Sequence, residues 1–177
     1  MGGCRRMNVE MRLLRGGDEA EACAGMMAES EPWVTLGRGY QESLSVVSDP
    51  SREVYVAIVE SVIAGFVVVE MRGAFTGYIK SICVAPDLRG RGIGARLMDY
   101  VEERIFRETP NVFLCVSDFN DGARRFYEGL GYETVGELRD YLVRGSSEIL
   151  MRKTTGPLSE AQQGGASDNI KREASQD

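Results

Sequence analysis

Short apolar runs recur along most of the chain, and their period separates strands from helices. Val9, Met11 and Leu13 alternate with polar residues, which predicts a first strand. Runs rich in β-branched residues predict four more strands: EVYVAIVE, VIAGFVVVEMRG, FTGYIKSICVAP and, after a helical segment, NVFLCVS. Little more than Glu60 and Ser61 separates the first two of these runs, so they are predicted to form a hairpin. ETVGEL and SEILMRK predict a closing hairpin.

Four further segments carry the spacing or the end signals of helices. The acidic pair in GGDE suits the positive N-terminal end of a helix that runs to about Ser30. A second helix is predicted over residues 40–47. From Ile93 onward apolar residues recur every four positions, which is typical of an amphipathic helix. FNDGARRFYEGLGY predicts the last helix, with Asn120 as N-cap and Gly131 as the C-terminal stop.

Helices thus alternate with strands and hairpins along the chain. This order predicts an α/β (α+β) protein with a mixed central sheet of about seven strands flanked by about four helices. A length of 177 residues is typical of one domain, which we predict over 8–154. Residues 1–7 are predicted to be a flexible N-terminus, with Met7 as an alternative start. Residues 155–177 lack aromatic side chains and are predicted to be a disordered tail.

Charge and cysteine content exclude several classes of protein. A net charge of −6 argues against a nucleic-acid-binding protein, which normally presents a basic face. No apolar run approaches the roughly 20 residues of a membrane span, so no membrane partner is predicted. The chain has no histidine and its four cysteines form no C-x-x-C pair, so no metal site is predicted. Reduced cysteines favour a cytoplasmic protein.

Three glycines stand at alternate positions in LRGRGIGARL, where the amphipathic helix is predicted to begin. Gly90, Gly92 and Gly94 each weaken a helix by up to ~1 kcal/mol relative to alanine, so another requirement must favour them. A helix N-terminus presents unpaired N–H groups, and glycines let a bulky anion reach that backbone. Three arginines add positive charge at the same point: Arg89, Arg91 and Arg96. The segment therefore predicts a pyrophosphate-binding loop rather than a merely solvated one.

Two other phosphate-binding motifs fit this loop less well. GRGIGA matches the letters of the dinucleotide fingerprint G-x-G-x-x-A, but PDLR separates its first glycine from the preceding strand. A doubly wound sheet also needs further βα units, and too little chain follows Asp118 to supply them. The ATP-binding P-loop pattern is absent because no lysine follows the glycines. A nicotinamide-dinucleotide enzyme is therefore the less favoured alternative.

Over roughly residues 9–153 the chain resembles the GCN5-related N-acetyltransferase (GNAT) superfamily. The signature Q/R-x-x-G-x-G/A of that superfamily is met by Arg89, Gly92 and Gly94, and VAP precedes it. A second motif, N-x-x-A-x-x-x-Y-x-x-x-G-[F/Y], is met by NDGARRFYEGLGY at the expected distance. Both motifs in this order, with a strand between them, make the resemblance specific.

The resemblance implies a single-domain GNAT fold whose fourth and fifth strands splay apart at a bulge. It implies acetyl-CoA as co-substrate, with transfer of the acetyl group to a primary amine. Backbone amides of the loop would bind the pyrophosphate, and the edge of the fourth strand would pair with the pantetheine amides. The residues implied to bind acetyl-CoA are Ile82, Cys83, Val84, Arg89, Gly90, Arg91, Gly92, Ile93, Gly94, Ala95, Asn120 and Tyr127.

Tyr127 falls at the general-acid position of the superfamily, where a phenol can protonate the departing thiolate. The alternative is a core tyrosine. The general base is not identified by the sequence. Members that acetylate N-terminal amines often carry Glu or His in the middle of the fifth strand, where this chain has Cys115, which we interpret as a small buried residue. Glu70, Glu148 and Tyr78 remain open as bases.

The acceptor amine is the least determined part of the function. Trp33, Tyr40 and Tyr141 fall where the superfamily builds its acceptor pocket, although each alone is typical of packing. RDYLVRGSSEILM resembles the corresponding hairpin of ribosomal-protein N-terminal acetyltransferases, which favours a protein or peptide α-amine. A small-molecule amine (an antibiotic, polyamine or amino acid) and a non-catalytic acyl-CoA-binding module are the alternatives. A homodimer is also left open.

Overall fold

The computed structural model describes residues 7–159. Predictions for residues 1–6 and 160–177, most of the N-terminus and tail discussed above, lie outside the described residues. The strands are β1 (Glu10–Leu13), β2 (Glu53–Val59), β3 (Val62–Glu70), β4 (Tyr78–Val84), β5 (Asn111–Ser117), β6 (Glu133–Arg139) and β7 (Ser147–Thr154). The helices are α1 (Gly16–Ala28), α2 (Tyr40–Val47), α3 (Ile93–Phe106) and α4 (Asp121–Gly129), with a short 3-10 turn over Pro86–Leu88.

Local sequence signals place the ends of several of these elements. Glu60 and Ser61 have φ of 50° and 67° and form the two-residue turn between β2 and β3, as predicted. Asn120 Oδ1 accepts a hydrogen bond from the Ala123 N–H at 3.1 Å and caps α4. Gly131, with φ of 89°, follows the end of α4. The predicted hairpin, N-cap and helix stop are therefore confirmed.

All seven strands form one sheet in the order β1-β2-β3-β4-β5-β7-β6. Every pairing is antiparallel except the one between β4 and β5. This confirms the predicted mixed sheet of seven strands with four helices. A single parallel pair also excludes the doubly wound dinucleotide fold, which needs several parallel βα units.

The parallel pair is short, and the two strands separate beyond it. β4 and β5 are in register only at Tyr78↔Phe113 and Ile79↔Leu114. In the pairing of β3 with β4 the register shifts, so that Lys80 is an extra residue opposite β3. Such a bulge bends its strand, and the remainder of β4 therefore diverges from β5. The predicted splay of the fourth and fifth strands is confirmed.

Helices cover both faces of the sheet, and each face has its own apolar core. Cys23 and Met27 of α1 pack on one face with Phe66 of β3. Leu97 of α3 and Tyr127 of α4 pack on the other face. The gap between β4 and β5 therefore lies between two helix-covered faces and connects them. Among residues 7–159, no helix has the length and apolar character needed to cross a membrane.

Candidate active site

A cavity of about 700 Å³ opens where β4 and β5 separate. Its walls include Ile93 from the core beneath α3 and Trp33 from the core beneath α1, so the cavity passes through the sheet at the splay. The predicted site residues that line it are Ile82, Cys83, Val84, Arg89, Gly90, Gly92, Ile93, Gly94, Ala95, Asn120 and Tyr127. Arg91 is exposed on the loop and does not line the cavity.

The edge of β4 that faces the cavity carries backbone groups without a strand partner. The Ala85 N–H donates to the Ala64 carbonyl of β3 at 2.9 Å. Because backbone N–H groups alternate in direction along a strand, those of Ile82 and Val84 point away from β3 and into the gap. The pairing of β5 with β4 stops at Ile79, so β5 does not satisfy them. An extended ligand with amide groups can therefore pair with this edge as an added strand.

The glycines of the loop have two different structural roles. Gly90 and Gly92 have φ of 71° and 79°, a conformation that strains any residue with a side chain. A Cβ atom at either position would meet nothing within 4 Å, so the space in front of their backbone is open. A Cβ atom at Gly94 would instead lie 3.3 Å from the Phe126 ring. Gly94 therefore allows α3 and α4 to pack closely, a role that the sequence motif does not reveal.

The arginines of the loop are held mainly by contacts within the protein. The Arg89 guanidinium donates to the Val84 carbonyl at 3.0 Å and to Ser30 Oγ at 3.2 Å. Arg96 donates to the Val9 carbonyl at 3.2 Å. Arg89 therefore ties the loop to the end of β4 and to the segment after α1, and its charge stays at the end of the cavity formed by the glycine loop.

Cys83 has a side chain that belongs to the α1 contact. Its Sγ donates to the same Ser30 hydroxyl at 3.3 Å, and burial raises the pKa of the thiol. By the alternation described above, its backbone groups face β3. The predicted place of Cys83 in acetyl-CoA binding therefore depends on its position between Ile82 and Val84.

Asn120 and Tyr127 reach the cavity together because they lie two helical turns apart on α4. The Oδ1 atom of Asn120 caps the helix, so only its amide N–H group is left to contact a ligand. Tyr127 is 7% exposed, and its ring packs edge-on against Tyr132 with the centroids 5.8 Å apart. Within residues 7–159 its hydroxyl makes no hydrogen bond. Burial raises the pKa of Tyr127, so the phenol is protonated at neutral pH and can donate.

A buried carboxylate lies on the opposite wall. Glu148 of β7 pairs in register with Ser117 of β5, and Ser117 Oγ donates to Glu148 Oε1 at 2.6 Å. Glu148 is 4% exposed and lines the cavity. Burial, and secondarily the nearby Asp118, raise the pKa of this carboxyl, whereas the bond from Ser117 and the charge of Arg38 lower it; the net change is upward.

The other groups considered as general base are less suited to that role. Glu70 accepts a hydrogen bond from Arg52 at 2.9 Å and does not line the cavity. Tyr78 and Cys115 do line it. The pKa of Tyr78 is raised by burial and by its neighbour Cys115, and burial raises the pKa of Cys115 as well. Both groups are therefore protonated near neutral pH, so among the candidate bases Glu148 is the carboxylate that lines the cavity.

Two of the three aromatic residues predicted for the acceptor pocket lie in the cavity wall. Trp33 lines it with the Arg38 guanidinium 5.7 Å from its ring centroid, and Tyr141 lines it while remaining 59% exposed. Tyr40 begins α2 and is not part of the wall.

Sequence reasoning did not single out several residues of the wall. Arg38 stands in a loop without periodicity, and Ser117 is the last residue of an apolar strand, so neither carries a motif. Ser81, the residue after the bulge, lines the cavity, and its Oγ is buried without a hydrogen-bond partner in the described part of the chain. Residues 7–159 contain no group of three or more His, Cys, Asp or Glu side chains that could hold a metal ion.

Comparison with known proteins agrees with this geometry. Residues 19–132 match the acetyltransferase (GNAT) family. An acetyltransferase of Pectobacterium atrosepticum is 36% identical over 136 residues, which cover 72% of this chain and 89% of that protein. The N-alpha-acetyltransferase RimI of Mycobacterium tuberculosis is 35% identical over 82 residues, 46% of this chain and 51% of that protein. The crystal structure of an aminoglycoside 6′-N-acetyltransferase complexed with coenzyme A shares the fold, with a TM-score of 0.66 and 20% identity. The match covers 85% of this chain and 98% of that chain.

These matches define the class of the protein. The chain belongs to the acetyltransferase (GNAT) family. It is accordingly an acyl-CoA-dependent N-acetyltransferase with acetyl-CoA as co-substrate.

Proposed function

We propose that this protein transfers the acetyl group of acetyl-CoA to the α-amine of a peptide or protein N-terminus. The observation that carries the proposal is the composition of the cavity wall beyond the splay. One buried carboxylate, Glu148, stands there beside an apolar and aromatic surface that includes Trp33, Leu36 and Leu142. An acceptor that carries one ammonium group next to an apolar side chain complements that surface.

Acetyl-CoA is proposed to occupy the side of the cavity that the glycine loop forms. The backbone N–H groups of the loop up to Ala95 bind the pyrophosphate at the N-terminus of α3, where the helix dipole adds partial positive charge, although the Arg89 N–H already donates to the Pro86 carbonyl at 3.4 Å. The pantetheine arm pairs with Ile82 and Val84, whose backbone groups face the gap. The Asn120 amide N–H group donates to the same arm. The thioester then lies in the splay, between the loop and Glu148.

Tyr127 acts in this arrangement as the general acid. Attack of an amine on the thioester produces a tetrahedral oxyanion and then a departing thiolate. The Tyr127 hydroxyl is protonated, lines the cavity and makes no hydrogen bond within residues 7–159, so it is free to donate to the sulfur. Asn120 and Tyr127 share one helix, which fixes their spacing along the cofactor.

The charges of the wall argue against a polycationic acceptor. Besides Glu148, the charged residues that line the cavity are Glu31, Arg38, Lys80 and Arg89. An aminoglycoside or polyamine carries several ammonium groups and would need a matching set of carboxylates. Arg89 lies on the acetyl-CoA side, and the two other cationic side chains of the wall, Arg38 and Lys80, would repel it instead. The similarity to an N-alpha-acetyltransferase supports the same choice.

The proposal is tested by measuring release of CoA from acetyl-CoA with a panel of acceptors. The panel contains peptides with free α-amines that differ in the first residue, the same peptides with blocked α-amines, free amino acids, a polyamine and an aminoglycoside. We expect turnover only with the peptides that carry a free α-amine, at a higher kcat/KM for an apolar first residue. Faster turnover of the polyamine or aminoglycoside contradicts the assignment of the acceptor. Acetyl-CoA binding without turnover of any amine identifies a non-catalytic acyl-CoA-binding module.

A further inference from the structure

Glu148 is a buried carboxylate with no cationic partner among residues 7–159. Its only hydrogen bond there comes from Ser117 to Oε1. No lysine or arginine of the described residues lies within salt-bridge distance of it, although the buried Glu102 is paired with Lys153. Buried charges in proteins are normally paired because an isolated one is costly to desolvate. Glu148 therefore has an unmet requirement for a cation, and it faces a cavity that admits one.

The register of the sheet places the Glu148 side chain on the α1 side of the cavity, opposite to the proposed position of acetyl-CoA. Its neighbour Ile149 packs against the core beneath α3 and α4, so Glu148 points to the other face, as do Cys115 and Ser117. The groups close enough to affect its charge are Asp118, Arg38, Tyr78 and Cys115. None of these neutralises it by direct contact.

We propose that Glu148 binds the ammonium group of the acceptor and then removes its proton. This inference rests on the proposed function, because it takes the acceptor to be an α-amine that enters from the α1 side. It assigns the general base to β7. The resemblance would place that base on β5, the strand that pairs with β7. Ser117 is the positioning residue, since its hydrogen bond holds one carboxylate oxygen and leaves Oε2 for the substrate.

The proton balance of the reaction is complete with these groups. Glu148 takes one proton from the ammonium, and the freed nitrogen lone pair forms the C–N bond as the carbonyl electrons move to oxygen. When the oxyanion collapses, the C–S bond breaks and the sulfur takes a proton from Tyr127. Tyr127 is reprotonated by the second proton of the nitrogen, and Glu148 returns its proton to solvent. The products are the acetamide, CoA thiol and one proton.

Burial makes Glu148 a stronger base than an exposed carboxylate, because its pKa is raised. The same shift has a consequence for stability. A carboxyl whose pKa is raised by folding stabilises the protein below its unfolded pKa, and this contribution is lost as the pH rises through the folded value. The ionised form of Glu148 is therefore less favourable to the fold than the protonated form, and a neutral isostere relieves that cost.

The test compares Glu148→Gln with Glu137→Gln in the full-length protein. Glu137 is a matched control on β6, because Ser147 Oγ donates to it at 2.6 Å, as Ser117 does to Glu148, but it is exposed and outside the cavity. The assay uses the peptide that the wild type acetylates fastest. We expect kcat/KM of Glu148→Gln to fall by at least ~10-fold at pH 7, because only about a tenth of the α-amine is neutral there, with Glu137→Gln unchanged. The Kd for acetyl-CoA should not rise, and the Tm at pH 7 should not fall.

The pH dependence separates a base from a structural residue. An α-amine has a pKa of ~7.7–8.0, so it is mostly charged at pH 7 and mostly neutral at pH 9. The defect of Glu148→Gln should therefore shrink by about tenfold between these two values. An undiminished kcat/KM, or a defect that is equal at both pH values, overturns the role of Glu148 and leaves the proposed function standing. Wild-type turnover with no α-amine overturns the proposed function itself, and with it this inference.

Discussion

At the scale of single residues, burial changes what the side chains of the cavity can do. Burial raises the pKa values of both Tyr127 and Glu148, with opposite consequences for their chemistry. The phenol stays protonated at neutral pH, so its proton is available when the thiolate departs. The carboxyl becomes a better proton acceptor. The acid and base roles proposed for these two groups on opposite walls therefore depend on the same physical cause.

Replacement of Tyr127 by Phe tests its hydroxyl while keeping the ring that packs against Tyr132. We expect kcat to fall at the low end of the ~10²–10⁴-fold range of general acid–base catalysis, because a thiolate is already a fair leaving group. The KM for acetyl-CoA should change little, since the interaction is made mainly in the transition state. Steady-state kinetics with a peptide acceptor measures both constants.

Tyr132→Phe is the matched control for that variant. The Tyr132 hydroxyl donates to the buried Glu102 at 2.9 Å and does not line the cavity. Its loss should lower the free energy of unfolding by about 1–3 kcal/mol, because Glu102 loses a partner, and leave kcat near the wild-type value. If Tyr127→Phe raises KM with kcat intact, its hydroxyl holds the cofactor. If neither constant changes, Tyr127 is a core residue.

At the scale of elements, the loop before α3 combines a strained backbone with an open surface. Gly90 and Gly92 adopt positive φ angles, which turn the chain so that α3 begins with its N–H groups uncovered. The same conformation makes it difficult to test the loop by mutation, because any side chain adds strain whether or not a ligand binds. A control glycine with equal strain is therefore needed.

Gly92→Ala and Gly73→Ala form such a pair. Both glycines have positive φ (79° and 95°), and a Cβ at either would meet nothing within 4 Å. Each variant should lose about 1–2 kcal/mol of stability from backbone strain. Only Gly92→Ala should also weaken acetyl-CoA binding, by at least tenfold or about 1.4 kcal/mol, because its methyl group projects where the pyrophosphate lies. Calorimetric titration of both variants checks this, and equal affinities would remove the loop from the binding site.

At the scale of the whole molecule, the splay divides the sheet into two parts. β1–β4 and β5–β7 meet directly only at Tyr78↔Phe113 and Ile79↔Leu114. Beyond that point the two parts are connected through α3 and the core beneath it. A ligand that fills the gap contacts both parts and replaces the strand pairing that the splay removes, so its binding should stabilise the whole fold.

Acetyl-CoA should therefore raise the Tm. At a ligand concentration of 100 Kd the expected gain is about 2.7 kcal/mol, and in a protein of this size each kcal/mol corresponds to roughly 2–4 °C. Scanning fluorimetry should show a rise of about 5–10 °C with acetyl-CoA and none with NADPH. A shift with NADPH alone would revive the dinucleotide interpretation of GRGIGA, against the topology of the sheet.

Much of the fold was accessible from the sequence because it is set by local chemistry. The β2–β3 turn needs two residues of positive φ, and Glu60 and Ser61 follow directly from the gap between two apolar runs. Asn120 and Gly131 bound α4 through a cap and a left-handed residue that act within a few positions of the helix ends. The resemblance carried by the two motifs likewise implied that the loop and Tyr127 belong to one site, and both line the cavity. The turn, the N-cap and the helix stop each depend on residues that lie within a short segment of the chain.

Only the tertiary structure distinguishes Glu148 from the other candidate bases by its burial and its place in the cavity, and only the tertiary structure separates the two roles of the glycines. Glu148 and Ser117 lie 31 positions apart and meet through the register of β5 and β7, so no local pattern records the contact. The packing of Gly94 against Phe126 depends in the same way on how two helices cross. Burial, pairing and the lack of a counter-ion are properties of the surroundings of a residue. They come into existence only when distant segments pack together, which is why the identity of Glu148 alone did not distinguish it from Glu70.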